Sequence, residues 1–432
     1  MSMLLVYLLN LLVLGALVRW MWRSEWAQEL RPYFVPALAL KLFLALVLVV
    51  MFYTGLQGGD RGVYHQAGIT LWEYAQQQPQ AYLRLLFTNR FESAELEAAL
   101  PFTAYIDSSN SFFFIKLVSL LNLLTTGNFL LNNLYFALYS LWGSAYLVAV
   151  LGRQFSKYKA AAAVAFLFFP TVLYWSVGLM KDPLMYGSMC WLTGTAVSLA
   201  HGYKLGRWQI LLLPLQLFLM VKIKLFYAAL LLPLLLVYIL VQLLQVKFRL
   251  LRSLGAKLAC YAVLVAGALG FISVVFEEKL LIDYIPLFIY ESYIGILPRS
   301  LHQPHILLEG FEPSIQSLLV HYPEAMLSAI FRPFLGESWR LLYVLSSLEN
   351  LLLLLLTGMA VAAAFRKGAG IKIELLHVVL LVFVLVMAGV VGLATPNFGT
   401  LSRYRLVFLP FLVYLLLQNV YAQRLLHMLR LR

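Results

Sequence analysis

The sequence has few cysteines, few charges and no tract of low complexity. Its two cysteines, Cys190 and Cys260, both fall in apolar stretches, so we expect no disulfide framework and no cysteine-based metal site. Charged residues make up 12% of the chain, whereas soluble domains average about 25%. Residues 3–20 are apolar but have no basic segment before them and no A-x-A site after them, so we expect no cleavable signal peptide. Gly/Ser linkers and fixed-period repeats are also missing, which predicts a single membrane domain over residues 1–432.

Hydrophobic residues dominate what is present, at 62% of the chain with a mean hydropathy of +0.86. Many apolar runs approach the roughly 20 residues that cross a hydrocarbon core as a helix. The sequence therefore predicts an all-α polytopic membrane protein with about eleven transmembrane helices. The predicted spans are 3–20, 35–55, 129–151, 160–180, 184–201, 207–221, 225–246, 257–276, 342–364, 373–394 and 404–422.

The net charge of +13 would suit a nucleic-acid partner, but its distribution argues against one. Basic residues concentrate in alternate short loops, and this set of loops carries 18 basic and 3 acidic residues. The opposite set carries 13 basic and 15 acidic residues. The positive-inside rule places the first set in the cytoplasm. We therefore expect a multi-pass protein of the bacterial inner membrane, with the N-terminus outside, the C-terminus cytoplasmic and membrane lipids around it.

This topology leaves two long loops on the outer face, at 56–128 and 277–341. The apolar segment 111–126 within the first loop would invert the charge bias if it crossed the membrane. It is better interpreted as an interfacial or re-entrant helix. Residues 63–78 and 91–100 predict further short helices in the same loop.

The stretch "GLQGGDRGVYHQAG" (55–68) places Asp60 at the outer end of the second span. Glycines permit a tight turn and a close approach of the backbone to a ligand. Asp60 is then either a solvated turn residue beside Arg61 or a carboxylate held at the surface for chemistry. The flanking glycines are Gly58, Gly59 and Gly62.

Basic residues also approach the outer face, against the positive-inside trend. Lys181 lies in a short outer turn with Asp182, which would cap a helix beginning at Pro183 if the lysine only extends to the interface. Taken together, the outer basic residues predict a rim suited to a monophosphate or diphosphate head group. The other members of this rim are Lys222, Lys224, Arg332, Arg340, Arg403 and Arg405.

Several other polar residues fall in or near spans. Glu349, beside Asn350 in the ninth span, is costly there unless it pairs with a basic residue of the rim or faces a cavity. His377 and Lys41 are interpreted as packing or snorkelling residues. Three outer histidines have a spacing that does not favour zinc; they are His302, His305 and His321.

Four segments of the chain resemble the GT-C superfamily of polytopic glycosyltransferases. They are "GGDRGVYHQAG", "FPTVLYWSVGLMKDP", "FRPFLGESWRLLYVLSSLEN" and "SRYRLVFLPFLVYLL". The resemblance implies transfer of a sugar, with inversion, from a polyprenyl-phosphate-linked donor to a glycan, lipid or protein acceptor on the extracytoplasmic face. It implies Asp60 as the catalytic base. The chain departs from many relatives in carrying Arg61 where they have a second acid, and the nearest alternatives are Glu73 and Asp107.

The remaining roles follow from this resemblance and from the chemistry of a leaving phosphate, which gains charge that Lys or Arg stabilises. No cofactor is required, although Asp60, Asp182 and Glu337 offer oxygens to Mg²⁺ or Mn²⁺. The predicted donor-phosphate ligands are Lys181, Lys222, Lys224, Arg403 and Arg405. The predicted supporting residues are Arg61, Tyr64, His65, Asp182, Arg332, Glu337, Arg340 and Glu349.

Three other functions compete with this one. A polysaccharide polymerase or ligase acting on lipid-linked glycans would depend more on the outer arginines than on Asp60. A lipid or solute transporter would favour repeats and ionisable residues near the midplane. A non-enzymatic scaffold for an envelope complex would need neither catalytic residues nor a transport pathway.

Overall fold

A computed structural model describes residues 3–55, 59–247, 249–275, 283–366 and 373–429 of the chain. Helices form nearly all of the regular structure in these ranges, and no strand occurs within them. One isolated antiparallel bridge joins His305 to Asn397. The predicted all-α class is therefore confirmed.

Helices α1 to α11 occupy the first half of the chain. Their bounds are α1 Met3–Arg23, α2 Glu25–Glu29, α3 Arg31–Tyr53, α4 Gly59–Gln77, α5 Pro79–Thr88, α6 Ala94–Ala99, α7 Asn110–Thr125, α8 Phe129–Gln154, α9 Lys159–Ala163, α10 Pro170–Trp175 and α11 Lys181–Ala200.

Helices α12 to α21 occupy the second half. Their bounds are α12 Arg207–Ile223, α13 Leu225–Lys247, α14 Leu254–Val275, α15 Ile285–Ile296, α16 Ile315–Phe331, α17 Leu341–Ala364, α18 Leu375–Ala394, α19 Phe398–Tyr404, α20 Leu409–Leu416 and α21 Val420–Met428.

The helices group into two compact units, each assembled from separate stretches of the chain. Unit 1 comprises Met1–Val150, Leu173–Gly194 and Gly206–Ala228. Unit 2 comprises Leu151–Val172, Thr195–Leu205 and Ala229–Arg432. The single membrane domain stays a prediction, and each unit is described by itself.

Seven helices of the described chain are long and apolar enough to cross a membrane: α1, α3, α8, α13, α14, α17 and α18. An eighth span results if Phe398–Val407 and Leu409–Leu416 form one span, bent by 66°. These helices correspond to eight of the eleven predicted spans. The coarse prediction of a polytopic membrane protein is confirmed, whereas the number eleven is not.

The other three predicted spans do not form unbroken helices that are long and apolar enough to cross a membrane, each for a different physical reason. Segment 160–180 is broken, because a π-helical stretch, Val164–Phe168, is followed by Pro170, which lacks a backbone N–H. Helix α11 has 20 residues but is less apolar than the seven, because it begins with a lysine and an aspartate and contains several small and hydroxyl-bearing residues. Helix α12 has 17 residues, about a turn short of the roughly 20 that a crossing requires.

The first predicted outer loop is largely helical. Helices α4 and α6 correspond to the predicted short helices at 63–78 and 91–100, and α5 lies between them. Helix α7 has 16 residues and at about 1.5 Å per residue is shorter than a hydrocarbon core of about 30 Å. It packs against α4 within unit 1.

Each unit has its own apolar core. In unit 1, small and branched residues of α3 and α8 pack on Val177, which follows α10; these residues are Ala45, Leu48 and Ala137. In unit 2, α16 lies along α18, and the ring of Phe166 meets that of Phe411 edge to face at a centroid distance of 5.2 Å. Helix bundles in membranes depend on this kind of close packing.

Candidate functional site

Asp60 lies in the first turn of α4 and is exposed. Gly59, the first residue of that helix, has a φ of +49°, a conformation that suits glycine. The sequence predicted a turn at Asp60 and a helix from residue 63, whereas α4 begins at Gly59 and includes the aspartate. A carboxylate in the first turn is stabilised by the helix dipole and by unsatisfied N–H groups. Gly58 lies outside the described residues.

Tyr64 connects this turn of α4 to Lys181. Residues four apart share a helix face, so Tyr64 follows Asp60 by about 6 Å along the helix. The Tyr64 hydroxyl lies 3.3 Å from Oγ of Ser111, and Nζ of Lys181 lies 5.6 Å from the centre of the Tyr64 ring. Lys181 thus contacts α4 one turn after Asp60.

The Lys181 ammonium rests on neutral oxygens at the start of α7. Its Nζ donates to Oδ1 of Asn110 and to Oγ of Ser111, both at 2.8 Å. Only 7% of Lys181 is exposed. These two hydrogen bonds fix the position of the buried ammonium at the start of α7.

The C-terminal end of α12 joins the same group. Asn110 donates through Nδ2 to the carbonyl oxygen of Ile223 at 3.1 Å, and Nζ of Lys222 donates to the carbonyl oxygen of Asp107 at 2.7 Å. Lys224, which follows α12, places its Nζ 5.3 Å from the centre of the Tyr227 ring. Contacts through Asn110 therefore bring Lys181 and the neighbourhood of Lys222 together.

Arg61 and His65 are buried in unit 1 rather than exposed beside Asp60. The Arg61 guanidinium lies 5.5 Å from the Tyr174 ring and 5.8 Å from the Trp175 ring. His65 packs edge-on against Phe129 at 4.9 Å, and burial lowers the pKa of its imidazole. Cation–π and aromatic contacts of this kind position α4.

Asp182 is buried, and its predicted role as a helix cap is wrong. Helix α11 begins at Lys181, so Asp182 lies inside the first turn instead of preceding a helix that starts at Pro183. A carboxylate at that position still interacts favourably with the helix dipole.

The predicted arginines of unit 2 differ from these lysines in their partners. Arg332 donates to both carboxylate oxygens of Glu337, through Nε at 2.9 Å and through Nη2 at 3.2 Å. Arg340 is exposed at the start of α17, and the Arg403 guanidinium lies 5.9 Å from the Tyr404 ring. Arg332 is thus neutralised by a bidentate ion pair.

Arg405 is committed to the interior of unit 2. Its Nε donates to the carbonyl oxygen of Ala329 at 2.6 Å and its Nη1 to Oδ1 of Asn350 at 2.7 Å, while Nη2 contacts the carbonyl oxygen of Arg332. Only 1% of Arg405 is exposed. These contacts favour a structural role, and a role of Arg405 or Arg403 at the donor phosphate stays a prediction.

Glu349 is only half satisfied at its position in a span. Its Oε2 accepts a hydrogen bond from the backbone N–H of Thr171 at 2.8 Å, whereas its Oε1 is buried without a hydrogen-bond partner among the described residues. The pairing of Glu349 with a basic residue stays a prediction.

The predictions for the remaining histidines and for Lys41 have mixed outcomes. His377 packs on Phe155 at 5.0 Å and accepts the backbone N–H of Glu374, as a packing residue does. His321 and His305 contact backbone carbonyls, and the described residues contain no group of three His, Cys, Asp or Glu suited to a metal.

Lys41 does not snorkel. Its Nζ donates to Oγ of Ser140 and to Oγ of Ser176, both at 2.7 Å, inside unit 1. Only 1% of Lys41 is exposed, and its Nζ lies 5.8 Å from the centre of the Tyr186 ring. Ser176 lies in the non-helical segment between α10 and α11, so the hydrogen bonds of Lys41 depend on this interruption of the helix.

Sequence reasoning missed Lys116, which lies in the apolar helix α7. Its Nζ donates to the carbonyl oxygen of Leu86 at 2.9 Å and contacts Oδ1 of Asn89. Asn89 closes α5 in the left-handed conformation, with a φ of 58°, and donates to a carboxylate oxygen of Asp107 at 2.6 Å. A lone lysine in an apolar segment was the signal that could have identified it.

The chain matches no model of a known protein family, and comparisons with curated proteins and with solved structures yield no similar protein.

Proposed function

We propose that this chain is a membrane glycosyltransferase that moves a sugar from a polyprenyl-phosphate-linked donor to a glycan, lipid or protein acceptor. The observation that carries the proposal is the contact of Lys181 with Tyr64, which lies one helical turn after Asp60 on α4 in unit 1. It combines a carboxylate at an exposed helix end with a buried ammonium, and the reaction needs both charges.

The two residues have complementary roles in the proposed reaction. The acceptor hydroxyl attacks the anomeric carbon, and the bond from that carbon to the phosphate oxygen breaks, which inverts the configuration. Asp60 takes the hydroxyl proton as a general base. Lys181 stabilises the charge that develops on the leaving phosphate, with Asn110 and Ser111 holding the ammonium in place.

The proposed setting is the extracytoplasmic face of the bacterial inner membrane. Loops 56–128 and 277–341 then lie outside, and the C-terminus is cytoplasmic, as the loop charges predict. This topology requires that the segments at 160–180, 184–201 and 207–221 also cross the membrane. The donor's lipid tail would remain in the bilayer beside the exposed apolar helix faces.

The decisive experiment is sugar transfer by Asp60→Asn from a lipid-linked donor in membranes. Asn keeps the size and hydrogen-bonding capacity of Asp60 but cannot accept the proton, so we expect a rate about 10²–10⁴-fold lower. Glu95→Gln is the matched control, because Glu95 is also an exposed carboxylate in the first turn of a helix, α6. Transfer by Asp60→Asn at the level of this control would reject Asp60 as the base.

A transporter remains the second candidate because Lys41, in the middle of α3, binds Ser176 at a broken helix. Lys41→Met separates the two functions. Sugar transfer by this variant close to that of the unsubstituted chain supports the transferase. Absence of transfer by the unsubstituted chain, with proton-linked uptake that Lys41→Met abolishes, would favour the transporter.

A further inference from the structure

Two lysines near Lys181 form a second concentration of positive charge in unit 1. Lys116 is 7% exposed, and its Nζ rests on the Leu86 carbonyl and the Asn89 side chain, which are both neutral. The half-buried Lys222 donates to the backbone carbonyl of Asp107. Both ammonium groups are therefore hydrogen-bonded to neutral oxygens in the contacts that hold them.

The charges of Lys116 and Lys222 act on each other. Burial and, to a smaller extent, the charge of Lys222 lower the pKa of Lys116, the carboxylate of Asp107 opposes both effects, and the pKa that results is about 8. Asp107 is exposed, and one of its carboxylate oxygens accepts the Asn89 amide. Two lysines and one aspartate leave an excess of one positive charge in a partly desolvated place, which favours binding of an anion.

This pair is joined to the Lys181 group by hydrogen bonds. Asn110 accepts from Lys181 at 2.8 Å and donates at 3.1 Å to the carbonyl of Ile223, the residue after Lys222. Lys116 and Asn110 both belong to α7. The two concentrations of positive charge therefore both lie beside α7 and the C-terminal end of α12.

We propose that Lys116 and Lys222 form a second phosphate subsite beside Lys181, so that the lipid-linked donor is a polyprenyl diphosphate rather than a monophosphate. The proposal rests on the function proposed above and names its substrate class. With about one negative charge per phosphate group, a monophosphate needs only Lys181. A diphosphate places its second negative charge beside the excess positive charge of Lys116 and Lys222.

The proton linkage of this subsite follows from the same contacts. A bound phosphate would favour the charged form of Lys116, so its pKa rises above about 8 on binding. Below pH 8 the lysine is protonated in both the free and the bound site. As the pH rises through 8, the free site loses its proton, so the affinity for the diphosphate falls. Lys222 and Asp107 are the charged groups facing Lys116, and Asn89 and Phe112 are its neutral neighbours.

The test uses the purified full chain in detergent, with a short-chain polyprenyl monophosphate and the matching diphosphate, each esterified to the same sugar, as probes. We expect the diphosphate to bind at least about tenfold more tightly at pH 7, and this preference to decrease above pH 8. Lys222→Gln and Lys116→Met should each lower the diphosphate affinity about tenfold and leave the monophosphate affinity unchanged. Lys204→Gln, at an exposed lysine of unit 2, is the control.

The outcomes separate this inference from the proposed function. Equal affinities for the two probes, or an equal loss of both in Lys222→Gln, would overturn the second subsite and leave the transferase standing. Failure of both probes to bind would overturn the transferase as well. Competition by inorganic diphosphate as strong as that by the lipid diphosphate would show a site for free diphosphate and overturn the lipid-linked assignment. Because Lys222 is half-buried, its variant stays informative even if Lys116→Met fails to fold.

Discussion

At the scale of the residue, lysines that look alike in the sequence acquire different roles from their partners. Lys41 is enclosed by two serines, whereas Lys181 belongs to the group that contains Tyr64. The Ser140 hydroxyl itself donates to the carbonyl oxygen of Ser176 at 2.5 Å, so it remains satisfied without the lysine. The ammonium, in contrast, depends on the serines for its acceptors.

We predict that the cost of removing the Ser140 hydroxyl depends on Lys41. Ser140→Ala deprives a buried ammonium of an acceptor, which should lower the free energy of unfolding by about 1–3 kcal/mol. In a Lys41→Met background the same change should cost much less, because no charge remains to be satisfied. Thermal unfolding of the unsubstituted chain, the two single variants and the double variant in detergent measures this coupling. Equal costs in the two backgrounds would show that the contact between Lys41 and Ser140 contributes no stability.

At the scale of the element, glycines set how closely α8 and α11 approach each other in unit 1. A methyl group at Gly143 of α8 would overlap the backbone of Gly187 in α11, carbonyl oxygen included. Small residues at helix crossings permit such backbone contact in membranes. Gly15 of α1, in contrast, has open space where its methyl group would lie.

We predict opposite effects for two Gly→Ala substitutions in these helices. Gly143→Ala should destabilise the protein by about 1–3 kcal/mol, because α8 and α11 must separate to accept the methyl group. Gly15→Ala should be neutral or stabilise by up to about 1 kcal/mol, because alanine is the better helix former. Unfolding midpoints in one detergent provide the comparison. A midpoint for Gly143→Ala equal to that for Gly15→Ala would contradict this packing.

At the scale of the whole molecule, the membrane topology decides whether Asp60 faces the extracytoplasmic side. Gln77 ends α4 and His427 lies in α21, and both are exposed, so both suit labelling. Of the native cysteines, Cys190 is buried and Cys260 is partly exposed, so the Cys260→Ala substitution should keep background labelling low.

We predict that an impermeant thiol reagent labels Gln77→Cys in intact cells and labels His427→Cys only after the membrane is permeabilised. The physical reason is the excess of Lys and Arg in the loops assigned to the cytoplasm. The Cys260→Ala chain without an added cysteine is the control for background labelling. If both positions react from the same side, the topology is wrong, and the extracytoplasmic site is lost with it.

The sequence alone predicted the all-α membrane class, the seven helices that are candidates for spans and the bent pair that could form an eighth. Run length and hydropathy determine these properties directly, because each spanning helix satisfies its own backbone hydrogen bonds. The sequence also singled out Asp60 and Lys181 as charges at helix ends. The predicted span at 160–180 is not confirmed, because its apolar residues continue through a break that begins before Pro170.

Only the tertiary structure decided which polar groups meet. The serines that bind Lys41 lie 99 and 135 residues further along the chain, so no local pattern indicates them. Arg405 was assigned to the phosphate rim from its position, yet its guanidinium is bound to carbonyls brought there by α16 and the residue after it. The charge of a side chain is a property of the residue. Whether that charge is available to a ligand depends on the hydrogen-bond partners that folding supplies.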